Sequence, residues 1–346
     1  MNKRIQILDC TLRDGGLGLE DGFISGISDV RFSKEDRTDI ALHLAKSDAD
    51  IIEIGSLEIS GSDKTGFAIY QSIEEASAVM PQKNSDTQMF AALYRGPDTP
   101  AENIPKWHKG LCEAVRVIIR YSELQKSLDF CRMLSEKGYK VFVQPMLTMR
   151  YTDEELDLII RESNAMNAYA LYFVDSYGYM QNNDVDRLFR LYDEKLDPEI
   201  RIGFHAHNNM NLAFSNVLYM MSIKTDRNII IDSCAMGMGQ GAGNLQTELI
   251  TGYLNNNGSD YNIREILDVC EITEKYYGDL LWGYSVTRLL PALKKTAYKY
   301  ALAFRNRYKL TYSEIYDLLN TMPDDMRHRY TPQCAETIIR EYGKGC

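Results

Sequence analysis

The sequence predicts an α/β chain closed into a (β/α)8 TIM barrel with a C-terminal helical extension, and three observations predict it. Short β-branched runs recur at 5–8, 51–55, 89–94, 114–120, 140–143, 170–174, 200–204 and 229–232. Helical patterns fill the intervals, and past Gly243 the strand runs stop. Repeating strand-then-helix demands parallel strands joined by right-handed crossovers. Eight such units in ~250 residues match a closed barrel better than an open sheet. The helical stretches at 34–46, 122–137, 152–164 and 211–221 place apolar residues three and four apart. In the second of these, Leu124, Leu128, Cys131 and Leu134 share a face. Beyond Gly243 the patterns at 262–277, 286–308, 312–319 and 333–342 read as helix, with Pro332 suited to a first helical turn. The division expected is 1–280 for the barrel, its last helix being the first of these four, and 281–346 for a helical segment too short to form a second catalytic domain.

Composition narrows the classes of function. Asp plus Glu outnumber Lys plus Arg by 49 to 39, a net charge of −10 without a basic cluster, which argues against nucleic acid and against an anionic membrane as partners. A chain of 346 residues buries a full core without staples. Its seven cysteines are single and odd in number, with no CxxC pair, which fits a reducing cytoplasm. The start, MNKRIQILDC, has too short an apolar stretch for a signal peptide, and no run approaches the ~18 apolar residues of a membrane span.

Functional side chains of a parallel barrel lie at the C-terminal ends of its strands. His205 and His207 stand at i and i+2 on the seventh run, so both imidazoles point to one side. With Asp14, after the first run, they make a set of three ligands that leaves positions open for substrate oxygens. Arg13 reaches the same site if the chain turns there, which Gly15 and Gly16 allow. Arg13 would stabilise a developing oxyanion, with Glu53 orienting it. Gln144 and Asp175, at strand ends, and Gly239, in GMGQGAGN (237–244), are candidate substrate contacts. That glycine-rich segment matches a loose dinucleotide pattern, but it follows the last strand and has no βαβ unit to complete it. A phosphate nest after the eighth strand is the rival reading; the preferred one is a loop whose backbone approaches a metal-bound substrate, with Asn244 as ligand or hydrogen bonder. His43 is a structural histidine, and His108 and His328 receive no role. Cys10 and Cys234 fall near the mouth, and Tyr177 and Tyr284 are noted for position.

DCTLRDGG, IIEIGS, VDSYG, FHAHNN and GMGQGAGNLQTE occur in this order at the ends of successive strands. As a set they resemble the DRE-TIM metallolyases, the HMGL-like group that includes hydroxymethylglutaryl-CoA lyase, 2-isopropylmalate synthase and 4-hydroxy-2-oxovalerate aldolase. The resemblance implies Mg²⁺ or Mn²⁺ held by Asp14, His205, His207 and Asn244. It also implies an enolate stabilised by Arg13 with Glu53 behind it, and a carbon–carbon bond made or cleaved in a 4-hydroxy-2-oxo acid. Length and the C-terminal helices favour the aldolase branch, whose helical segment docks an aldehyde dehydrogenase, and a homo-oligomer is expected. An acyl-CoA lyase or Claisen-type acyl transferase, and a metal-binding barrel without catalysis, are the alternatives. One departure is Leu17, where those aldolases have a catalytic histidine. A proton relay through Tyr284 is the expectation that fills this gap.

Overall fold

In a computed structural model, residues 4–58, 62–95, 103–277 and 282–342 are described. Among the described residues nine strands form: β1 (Ile5–Asp9), β2 (Ile51–Leu57), β3 (Ile69–Tyr70), β4 (Met89–Tyr94), β5 (Ala114–Ile119), β6 (Lys140–Pro145), β7 (Ala170–Asp175), β8 (Arg201–Ala206) and β9 (Ile229–Ser233). Eight run parallel in the order β1-β9-β8-β7-β6-β5-β4-β2, and β2 closes on β1 through Leu8–Ile51 and Asp9–Ile52. The sheet is therefore a barrel, built from the eight runs that the β-branched pattern predicts. The two-residue β3 is an addition outside that pattern and pairs with the end of β2 through Ser56–Ile69. The strands are almost wholly buried, as expected where helices cover one face and the barrel core fills the other.

The first helix corrects an expectation. Gly15 and Gly16 do not turn the chain; they lie inside a helix, Thr11–Ile24, that starts one residue after β1. Its glycines serve close packing. A Cβ on Gly16 would stand 2.0 Å from the Phe67 carbonyl oxygen, and one on Gly18 would stand 2.8 Å from that of Gly239. The helix thus lies against the Thr65–Phe67 turn and the loop after β9, and its first turn aims Arg13 and Asp14 into the mouth.

The C-terminal pattern at 286–308 is two helices, Val286–Leu293 and Lys299–Asn306, and not one. Lys295 takes a left-handed φ of 54°, and Thr296 N–H bonds back to the Pro291 carbonyl, closing a turn between them. Helices Tyr312–Thr321, Asp324–Arg327 and Pro332–Tyr342 follow. Tyr300, Phe304, Ile315, Leu318, Leu319 and Ile338 give this tail a core of its own, and Tyr177, from the loop after β7, is buried in it. The tail therefore sits over the C-terminal mouth. The helix Ile263–Glu274 packs on Lys34–Lys46, where His43 Nδ1 lies 2.7 Å from Glu265, and completes the barrel wall.

Candidate active site

The mouth of the barrel holds a cavity of about 200 Å³. Arg13, Asp14, Gln144, His205 and His207 line it, so the structure brings together five of the residues picked from the sequence. The ligand atoms of Asp14, His205 and His207 all lie within 4.8 Å of one another. Both imidazoles are fixed from behind. His205 Nδ1 lies 2.8 Å from the Asp232 carboxylate, and His207 Nδ1 donates to the Asp175 carbonyl at 3.0 Å. Each Nε2 is left facing Asp14, at 3.4 and 3.9 Å. A ring nitrogen bonded behind the site sets the tautomer that presents the other nitrogen to a metal.

Asn244 arrives by way of the glycine loop. The loop doubles back so that His207 and Asn244 form a bridge pair, and Asn208 N–H bonds the Gly243 carbonyl at 2.8 Å. Asn244 Nδ2 donates to Asp14 at 2.7 Å and to the Met238 carbonyl at 3.1 Å. Its Oδ1 is buried without a partner among the described residues. A buried amide oxygen without a donor is costly, and a divalent cation beside Asp14 would satisfy it. The donor set fits such an ion: one carboxylate, two imidazoles and one amide oxygen, with a cavity on the open side.

The charges of the three residues are coupled. Burial pushes the Asp14 carboxyl up, but the Arg13 guanidinium and the bond with His205 outweigh it and hold the carboxyl well below the usual range. Burial also opposes a charge on His205, yet its bonds to Asp14 and Asp232 carry its pKa well above the ordinary value. His207 goes the other way, to about 4, through burial and then the charge on His205.

Beneath the ligands lies a charged layer that the sequence analysis missed. Arg116, wholly buried in β5, bonds Glu53 and Asp232 and lies 5.1 Å above the Tyr172 ring. With the Gln144 amide turned so that its oxygen faces Arg116, that oxygen accepts from Arg116 Nε at 2.7 Å. Glu53 accepts from Arg13 Nε at 2.7 Å as well. The signal was present: an arginine in the middle of AVRVII, and an aspartate ending an isoleucine run.

Three sequence-based candidates stand elsewhere. Asp175 turns its carboxylate away from the cavity to accept the N–H groups of Tyr179 and Met180, at 2.9 and 3.0 Å, and so fastens the loop after β7. Gly239 makes room rather than contact: a Cβ there would stand 2.2 Å from Asn244 Nδ2 and 3.3 Å from Asp14. Tyr284 is 56% exposed and is not among the cavity residues. The tail sends Tyr298 and His328 into the cavity instead, and Leu17 lies in its wall as an apolar residue. No local pattern marks Tyr298 or His328, because the folding of the tail alone decides where they fall. Cys10 and Cys234 are buried near the ligands, their sulfurs 3.3 Å apart.

A parallel barrel with an aspartate–histidine–histidine set at its C-terminal mouth defines a class of metal-dependent barrels. The sequence profile of the HMGL-like family matches residues 4–275, and the chain belongs to that family. Among curated relatives, "4-hydroxy-2-oxovalerate aldolase" of Carboxydothermus hydrogenoformans is 29% identical over 275 residues, covering 78% of this chain and 77% of that one. The protein of the same name from Thermomicrobium roseum is 28% identical over 273 residues, covering 77% and 71%. Among solved structures, the N-terminal domain of a putative aldolase from Bacteroides vulgatus aligns with a TM-score of 0.68 at 20% identity over 88% of this chain and 98% of that one. Hydroxymethylglutaryl-CoA lyase from Pseudomonas aeruginosa aligns with a TM-score of 0.60 at 17% identity over 80% and 94%. These structural likenesses concern the fold.

Proposed function

We propose that the protein is a divalent-metal-dependent aldolase, a carbon–carbon lyase that makes or cleaves the C3–C4 bond of a 4-hydroxy-2-oxo acid. The observation that carries this reading is the convergence of Arg13, Asp14, His205 and His207 on one cavity. The relatives' shared name supports it. Asp14, His205, His207 and Asn244 would hold the ion, and carboxylate and amide oxygens beside imidazoles suit Mg²⁺ or Mn²⁺. When bound, the ion supplies Lewis-acid polarisation of the substrate's 2-oxo group.

The chain's own residues do the rest. Arg13 is anchored by Nε on Glu53 and by Nη1 on Asp14, at 2.7 and 3.0 Å. Its planar fork is therefore fixed before substrate arrives, and its remaining N–H groups are set to donate to the oxygen on which enolate charge develops. Tyr298 keeps its proton: burial and the neighbouring Asp21, to which its hydroxyl donates, hold its pKa well above the ordinary value. That one proton goes to Asp21, so toward the cavity the phenol oxygen accepts, and Tyr298 rather than Tyr284 is the phenol at the mouth. With Leu17 apolar, transfer of the C4 hydroxyl proton falls to solvent in the cavity.

The same proposal places the protein in the cytoplasm as a homo-oligomer, with its tail as the docking surface for an aldehyde dehydrogenase. No described helix is long and apolar enough to cross a membrane. Pyruvate release from a 4-hydroxy-2-oxo acid, coupled to lactate dehydrogenase, tests the activity. Metal-dependent NADH oxidation is expected, and its absence with several such acids overturns the reading.

A further inference from the structure

The cavity is not uniform around the barrel. Arg13 and Asp14 enter after β1 and the histidines from β8, so the ion and the 2-oxo acid half of the substrate belong on that side. The wall toward β4–β7 is largely apolar, with Leu93, Ile118, Met146, Leu147 and Val174. Gln144 and Ser176 also stand in it, the Gln144 oxygen turned to Arg116 and the Ser176 hydroxyl accepting from Leu147 N–H, and one imidazole joins them. His328, from the turn after the short helix Asp324–Arg327, lines the same cavity and is held by its backbone, whose carbonyl accepts from the Tyr177 hydroxyl at 2.9 Å. The two rings lie 6.5 Å apart and nearly parallel, at 8°. His328 Nδ1 is buried without a partner among the described residues, and no described residue makes a hydrogen bond to its other ring nitrogen. Burial, followed by Arg150, pushes its pKa down to about 4, so the ring is neutral and offers one donor and one acceptor. Buried polar groups in folded proteins are paired almost without exception, so this half-buried imidazole without a partner in a cavity wall is free to take up a ligand group.

We propose that His328 selects the acceptor half of the substrate by hydrogen-bonding a hydroxyl beyond the bond that is made or broken, so that the aldehyde partner is a hydroxyaldehyde and not an alkyl aldehyde. This rests on the aldolase reading above and names its substrate class. A site that pairs a buried group with a substrate hydroxyl rejects the analogue lacking it, because the group is then left unpaired. Apolar walls by themselves favour the alkyl analogue.

Glycolaldehyde and propanal differ by a hydroxyl in place of a methyl and test this at nearly constant size. The measurement is kcat/KM for addition of pyruvate to each, for wild type, H328F and H328Q, together with deuterium exchange into the pyruvate methyl group in the absence of aldehyde. The wild type is expected to prefer glycolaldehyde. H328F lowers the glycolaldehyde-to-propanal ratio about 10-fold or more, H328Q restores part of it, and exchange is unchanged in both. H328A gives the same reading if H328F does not fold. A wild-type preference for propanal, or a ratio unmoved by the variants while exchange persists, overturns the proposal and leaves the aldolase reading standing. A wild type that neither exchanges deuterium nor forms product with either aldehyde overturns the aldolase reading, and the role of His328 with it.

Discussion

Arg13 bonds Glu53 and Asp14 at once, so its charge serves two tasks that a substitution can separate. Arg13→Lys keeps the charge but loses the fork, and kcat should fall by at least ~100-fold, the scale of losing a donor to a developing oxyanion. Metal affinity should change little. A rise in KM alone would make Arg13 a binding group. His205 carries a proton in the metal-free protein because Asp14 and Asp232 hold it there, whereas His207 is neutral at pH 7. Metal binding at pH 7 should therefore release about one proton, read by calorimetry in buffers of different ionisation enthalpy. Asp232→Asn should lower the affinity about 10- to 100-fold. Binding without proton release contradicts this account. The ligands themselves were legible in the sequence because strand periodicity places His205 and His207 on one side. Arg116 and Asp232 were not, because a charge inside an apolar run acquires meaning only once the barrel brings β5 and β9 to face each other across its core.

At the scale of the element, the helix Thr11–Ile24 and the loop after β7 matter most. In an ordinary helix interior Gly→Ala stabilises by about 0.5–1 kcal/mol. Gly16→Ala reverses that sign here, because the new Cβ meets the Phe67 carbonyl at 2.0 Å, and backbone cannot move aside cheaply. A loss of about 1–3 kcal/mol is expected in thermal melts. Gly15→Ala meets only the flexible Met238 side chain and should cost less; equal effects would refute the close-packing account. The loop after β7 hangs on Asp175, whose pKa burial raises from 3.8 to about 7. A carboxyl with a raised folded-state pKa contributes stability below its unfolded pKa and loses it as pH rises through the folded value. Wild type therefore loses this contribution between about pH 4 and 7. Asp175→Asn does not titrate, so its stability should gain on wild type over that range in urea titrations. Parallel curves would show that Asp175 does not titrate there.

At the scale of the whole molecule, the tail completes the site. Tyr284 and Tyr298 lie 14 residues apart in it, yet one is 56% exposed and the other lines the cavity. Tyr298→Phe should lower kcat by about 10-fold or more, the worth of a lost hydrogen bond of ~1.4 kcal/mol, with metal affinity intact. Tyr284→Phe should change neither. The reverse pattern would return the role to Tyr284.

Local patterns determined the eight barrel strands, the residues that would ligate a metal and the helical character of the tail. Side-chain periodicity and strand ends are properties of a few consecutive residues, and parallel β/α topology leaves few ways to assemble them. The division at 281 into barrel and tail also came from such patterns, and we propose it as the boundary, since the tail has a core of its own. Tertiary structure alone decided the rest. Gly15 and Gly16 lie in a helix that packs against Met238 and the Phe67 turn. Asp175 turned away from the cavity because two backbone N–H groups claimed its carboxylate. Tyr298 and His328 became cavity residues because a turn at Lys295 folds the tail over the mouth. Each of these depends on a partner distant in sequence, and the pattern around a residue carries no record of the partner that folding brings to it.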